Sequence, residues 1–302
     1  MGVIKVAVLV GPTAVGKTAV ALDMAEALGA EIVNADSMQV YRHFDIGTAK
    51  PTPEERRRVR HHLVDVVEPD EPYDAARYAR QARAVIADLN RRGILPLVVG
   101  GTGLYIKALL GGLFPQGTAV AEIRRRLSRE LAEQGLLALR ARLAHLDPPT
   151  ARRLAAGDTY RILRALEVVE ATGRPLSALH AAHGFRDRPY QTLKLGLTLP
   201  REELYRRIEA RVEAMLAQGW LAEVQGLLSR YSPEIKPLKA LGYRHLAAAL
   251  EGRLSLEEAV AQIKKETRRY AKRQLTWFKA DPEVRWFLPY QSEEILSALK
   301  MW

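Results

Sequence analysis

Residues 3 to 18 read VIKVAVLVGPTAVGKT. An unbroken apolar run stopped by a glycine reads as a strand buried on both faces, the state of a strand inside a parallel sheet. GPTAVGKT then fits the pattern G-x-x-x-x-G-K-[ST], and the AVALDMAEALG that follows carries apolar residues at helical spacing and ends on Gly29. Strand, tight loop and helix start are the context in which that pattern binds phosphate. Gly11 and Gly16 let the backbone of Pro12, Thr13, Ala14 and Val15 wrap an anion. Lys17 supplies a mobile positive charge, and the Thr18 hydroxyl can ligate a magnesium ion. The loop predicts a bound di- or triphosphate. It decides neither that the phosphate is ATP nor that phosphoryl transfer follows.

The first 112 residues continue the alternation. Strands are expected at VIKVAVLV, AEIVNAD, HHLVDVVEP and ILPLVVGG, and helices at TAVALDMAEAL, YDAARYARQARAVIADLNRRG and LYIKALLGG. Such alternation implies an α/β fold with a parallel sheet, and ligands then sit beyond the C-terminal ends of the strands. That edge gathers the phosphate loop, the Asp36 region and Gly100 to Gly103. From 113 to 188 the strand signals vanish and helices are expected throughout. All thirteen basic residues between 113 and 190 are arginines. QTLKLGLTL reads as a returning strand, and the chain is helical after 200. The predicted organisation is a phosphate-loop core of 1–112 and 189–302, with a helical C-terminal region, interrupted by an all-helical insertion at 113–188.

The chain has 46 Lys and Arg against 35 Asp and Glu, a formal charge of +11, and no cysteine. Disulfides and thiolate metal sites are therefore excluded. The seven histidines show no metal-ligand spacing and are read as structural, with His61 and His62 in or before a strand. The apolar stretches are too short to span a membrane, and the start of the sequence lacks the pattern of a secretory signal, so a cytoplasmic protein is expected. A basic excess of this size points to a polyanionic partner. It is concentrated at 264–279, KKETRRYAKRQLTWFK, where seven basic residues accompany one acidic residue. Cations there suit nucleic-acid phosphates, while Tyr270, Trp277 and Phe278 are expected to face the core.

Asp36 stands at the end of the second strand, in NADSMQVYRHFDIGTAKP. A carboxylate beside a phosphate loop can hold magnesium or act as a general base; alternatively Asp36 or Ser37 can simply N-cap a helix. Ser37 and Gln39 add short hydrogen-bonding groups able to read a base edge.

GPTAVGKT, DSMQVYRHFDIGTAKP, VVGGTGLY, DTYRILRALEV, LKALGYR and TRRYAKRQLTWF occur in one order between residues 11 and 278. In these blocks the chain resembles the bacterial tRNA dimethylallyltransferases, also called tRNA isopentenyltransferases, over nearly its whole length. The resemblance implies transfer of a dimethylallyl group from dimethylallyl diphosphate to N6 of the adenine next to the anticodon, at position 37. The loop Gly11–Thr18 would hold the diphosphate leaving group together with Arg211 and a magnesium ion near Thr18. Asp36 would be the general base, and Thr102 would lie close to the reacting adenine; Thr102 can alternatively cap the helix that follows it. The resemblance assigns tRNA contacts to Asp36, Ser37, Met38, Gln39 and Thr102, to Arg124, and to Tyr160, Arg161, Ile162, Leu163 and Arg164. Lys239, Gly242, Tyr243 and Arg244 complete that set. The implied partners are a tRNA anticodon stem-loop and dimethylallyl diphosphate, with no membrane, for a monomeric enzyme. A small-molecule kinase would share the loop but would not need a basic helix. An RNA-binding module with a purely structural loop would not need Asp36 and Thr102 beside it.

Overall fold

The computed structural model describes residues 3–113, 120–184 and 187–302. Residues 114–119 and 185–186 of the expected insertion lie outside the described residues. The chain divides into two compact units, Met1–Leu110 with Arg188–Trp302, and Gly111–Asp187.

The first unit carries one sheet of strands β1 (Ile4–Val10), β2 (Glu31–Asn34), β3 (His61–His62), β4 (Pro96–Gly100), β5 (Tyr190–Leu197) and β6 (Val284–Phe287). All neighbours pair in parallel, in the order β3-β2-β4-β1-β5-β6. The α/β phosphate-loop class expected from the sequence is the class observed. β1 sits between β4 and β5, with Ala7 opposite both Leu97 and Leu193. That position explains its unbroken apolar run, since Val6 to Leu9 are buried from both sides. Because every strand points the same way, the chain leaves β1, β2 and β4 on one edge, at Gly11, Ala35 and Gly101.

Two expectations about this sheet need correction. HHLVDVVEP does not form a full strand; only His61–His62 pairs, with Ile32 and Val33. Leu63 and Asp65 then take positive φ (62° and 57°), and the backbone turns away to pair with the segment after β2. Val66 and Val67 both donate to Val40 O, at 2.9 and 3.2 Å. Of the apolar residues that suggested a strand, Leu63 and Val67 are buried, and Val64 and Val66 are only partly covered. Conversely, β6 (VRWF) gave no sequence signal; it is four residues long with an exposed Arg285.

The second unit is helical in its described residues: Val120–Leu146, Pro148–Arg153, Thr159–Thr172 and Leu176–His183. The long helix breaks at Gly135, where φ is 78° and ψ is 168°. Leu127, Leu139, Leu143, Ala151, Ile162, Ala165 and Leu166 form its core. Asp147 is buried and fully used: it accepts from Thr150 N (3.2 Å), Ser177 N (2.9 Å) and Ser177 Oγ (2.6 Å). One carboxylate thereby caps one helix and ties another to it.

Candidate active site

The loop Gly11–Thr18 is strongly curled. Gly11 and Gly16 have φ of 150° and 105°, and even Ala14 lies at 64°. A Cβ at Gly11 would stand 2.7 Å from Leu197 O, so this position also needs a bare Cα. The helix Lys17–Leu28 starts directly from Gly16, which puts the positive end of its dipole at the loop. Lys17 Nζ donates to Gly11 O (2.9 Å) and Pro12 O (2.7 Å). Burial and the neighbouring Arg211 lower its pKa from 10.5 to about 7, against the opposing pull of Asp36. Arg211 comes from the helix Arg201–Ala217; burial lowers its pKa too, and the Asp36 charge opposes that. Arg207, one turn earlier, also reaches the loop. A Cβ on Gly16 would lie 3.7 Å from its Nη1. Sequence reading missed Arg207, although its i,i+4 spacing to Arg211 was the available signal.

Two cations and a carboxylate therefore share this pocket within Coulombic range. Asp36 Oδ1 accepts from Met38 N (2.8 Å) and Gln39 N (3.3 Å). No helix starts here, so Asp36 closes a turn and is not a helix N-cap; this occupies one oxygen and fixes the rotamer, leaving Oδ2 for chemistry. Thr102 Oγ1 accepts from Ser37 N (3.0 Å) and donates to Ser37 Oγ (3.3 Å). Its hydroxyl thus ties the turn after β4 to the Asp36 segment and does not cap the following helix. Gln39 spends both amide hydrogens inside the protein, on Thr48 O (3.1 Å) and Ala49 O (3.0 Å), which leaves only its Oε1 to read a base edge.

The same holds for much of DIGTAKP. Lys50, buried, donates to Tyr41 O (2.8 Å), Asp45 Oδ1 (2.6 Å) and Asp65 Oδ1 (2.6 Å). Glu223 accepts from the backbone of Asp45, Ile46 and Gly47 and from Tyr243 Oη, at 2.7 to 3.3 Å. Such a carboxylate clamp on three successive N–H groups had no signal in the sequence.

The helix Leu256–Lys279 packs against the phosphate loop and the turn after β4. Buried Gln274 accepts from Thr13 N (2.8 Å) and donates to Gly101 O (3.0 Å). Trp277 is not in the core: it is 47% exposed and lies over Gly103, where a Cβ would stand 2.2 Å from its Nε1. Phe278 is buried as expected. Tyr270, one turn before Gln274, has its pKa raised by burial and by the charge of Asp36. Along the outer face Lys265, Arg269, Lys272 and Arg273 are exposed. Lys264 and Arg268 instead pair with Glu213 and Glu209.

The remaining expected residues lie elsewhere. Gly242 and Tyr243 are buried, and a Cβ on Gly242 would stand 2.3 Å from the Trp220 ring. Lys239 and Arg244 are exposed and pair with Glu234 and Glu266. Arg124 and Tyr160–Arg164 belong to the second unit. Arg124 and Arg164 both bind buried Glu167, at 2.7 and 2.9 Å. Burial alone would raise the Glu167 pKa, but these hydrogen bonds outweigh it and hold the carboxyl below its usual range. Tyr160 is 78% exposed, Arg161 is exposed and pairs with Asp158, Leu163 is half-buried, and Ile162 is wholly in the core. Ile162 therefore packs this unit, with no side-chain surface offered to solvent.

The family model described as IPP transferase matches residues 39–281 of this chain. A tRNA dimethylallyltransferase of Syntrophobacter fumaroxidans is 57% identical over 283 residues, covering 93% of this chain and 83% of the relative. One from Geobacter sulfurreducens is 52% identical over 93% of this chain and 91% of its own length. Among solved structures, a full-length tRNA isopentenylpyrophosphate transferase from Bacillus halodurans superposes with a TM-score of 0.74 at 36% identity, covering 99% of this chain and 96% of that one. A eukaryotic dimethylallyltransferase acting on tRNA gives 0.81 at 27% identity, over 98% of this chain and 77% of its own.

Proposed function

The chain belongs to the IPP transferase family, with the tRNA dimethylallyltransferases, and on that premise we propose how its site moves a dimethylallyl group from dimethylallyl diphosphate to N6 of adenosine 37 of tRNA. The diphosphate lies on Gly11–Thr18. The adenine N6 lone pair forms the new bond to the allylic C1 as the C1–O bond breaks, and that bonding pair leaves with the diphosphate. The N6 proton goes to Asp36 Oδ2. The exocyclic amine is a poor nucleophile because its lone pair is delocalised into the ring, so proton acceptance at the moment of attack is what Asp36 contributes. Charge grows on the leaving group in the transition state. Lys17, Arg211 and the loop N–H groups other than that of Thr13 would meet that charge, and donors already gathered where charge develops are the condition for large electrostatic stabilisation.

Among the described residues no cluster of three or more His, Cys, Asp or Glu could hold a metal ion. One exposed hydroxyl, Thr18, stands at the helix start beside the loop. That donor set fits a magnesium ion held chiefly by diphosphate oxygens and water, not one caged by protein. When bound, the ion neutralises diphosphate charge. An adenine inside the anticodon loop must leave its stack to meet Asp36. The exposed Tyr160 and Arg161 and the stripe Lys265, Arg269, Lys272 and Arg273 are candidate RNA contacts, because aromatic faces stack on bases and cations take phosphates.

The observation that carries this reading is the placement of two partly buried cations and one carboxylate within mutual Coulombic range at a phosphate loop. Incubation with labelled dimethylallyl diphosphate, bulk tRNA and magnesium tests it. Label should enter tRNA and co-migrate with N6-isopentenyladenosine after digestion. No incorporation, with robust ATP hydrolysis insensitive to diphosphate, would overturn it in favour of a kinase.

A further inference from the structure

The glycines of GGTG are explained by three neighbours. A Cβ at Gly100 would stand 2.2 Å from Ala35 O, at Gly101 2.2 Å from Gln274 Nε2, and at Gly103 2.2 Å from Trp277 Nε1. The first approach locks β4 against β2. The other two come from one helix, three residues apart, and close on the turn that carries Thr102. Gln274 is the member that also holds the phosphate loop. Its orientation is unambiguous, because Thr13 N–H can only donate and Gly101 O can only accept. From there the path is continuous. Thr102 N donates to Ala35 O (3.2 Å), and Thr102 Oγ1 holds Ser37, next to Asp36.

We propose that Gln274 is a positioning residue that couples the two halves of the site: through its side-chain amide, the conformation of the diphosphate loop sets the turn bearing Thr102 and, through Ser37, the Asp36 segment. The proposal rests on the prenyl-transfer reading above and names a residue that touches neither substrate. Thr13 N–H is a loop donor turned away from the anion and given to the helix. The loop is therefore pinned at a point that diphosphate does not occupy. An anion that draws the loop inward pulls on this amide and so on Gly101. Coupling of this kind is a ratio of affinities, which a merely stabilising interaction does not change.

The test measures the Kd of an anticodon stem-loop RNA for the full chain, with and without saturating inorganic diphosphate and magnesium. Wild type should show RNA affinity changed about fivefold or more by diphosphate, the lower range of measured couplings. Gln274→Met keeps the volume and loses both hydrogen bonds. It should bring the ratio to about one, while diphosphate Kd alone moves less than about threefold. Gln274→Glu keeps an acceptor for Thr13 N–H, so it should fold even if the Met variant does not. It sets a carboxylate against Gly101 O and should also lose the ratio. An unchanged ratio in a folded variant, or a wild-type ratio of one, overturns the proposal. Wild type that binds neither diphosphate nor RNA overturns the functional reading itself and this proposal with it.

Discussion

Lys17 offers the sharpest test of the site's electrostatics. Burial and Arg211 bring its pKa from 10.5 to about 7 in the free protein. Placing the diphosphate beside it restores the charged form, so above pH 7 binding must take up a proton. Each pH unit is then worth about 1.36 kcal/mol, or tenfold in Kd. Between about pH 7.5 and 9.5 the affinity for a non-reactive prenyl diphosphate ester should fall about 100-fold, with close to one proton taken up at the upper end. Calorimetry in two buffers of different ionisation enthalpy reads both quantities. Lys17→Arg keeps its charge across this range and should give a flat profile. A flat wild-type profile, or the same slope in Lys17→Arg, would refute the reasoning.

The unfolded chain holds the Lys17 proton more tightly than the folded one, so Lys17 detracts from stability below about pH 7 and ceases to above 10.5; Lys17→Met should raise Tm more at pH 6 than near pH 10.5, read by thermal melts. Asp36→Asn retains an acceptor for Met38 and Gln39 N–H but removes the base and the counter-charge of Lys17 and Arg211, so the chain should fold with a lowered Tm while single-turnover transfer falls about 10²–10⁴-fold. Gly47→Ala places a Cβ 2.0 Å from Nε1 of buried Trp220, and denaturant melts should show a loss of about 1–3 kcal/mol or more. Neutralising Lys265, Arg269, Lys272 and Arg273 should flatten the salt dependence of tRNA Kd by about 0.7–0.9 for each phosphate left without its cation; neutralising Lys264 and Arg268, which already serve Glu213 and Glu209, should change it less and cost stability instead.

The residues alone determined the phosphate loop and the central strands of a parallel sheet; the short β3 and the edge strand β6 escaped them, and the roles of Asp36 and Thr102 came only as what the family resemblance implies. β1 announces itself because a strand buried on both faces must be apolar at every position, and the loop because only glycine tolerates its backbone at Gly11 and Gly16. Asp36 was legible since the parallel sheet sends every strand end to one edge. Tertiary structure decided how each polar group is spent. Gln39, Lys50 and Tyr243 have the chemistry of recognition, yet their donors go to Thr48 and Ala49, to Asp45 and Asp65, and to Glu223. Glu223 and Gln274 carry no local signal because their backbone partners lie 176 to 178 and 173 to 261 residues away. The basic helix showed its charge in the sequence, but which cations remain for RNA depended on the carboxylates that another helix sets against it. A hydrogen bond is fixed by position in space, and position for such distant pairs exists only once the chain has folded.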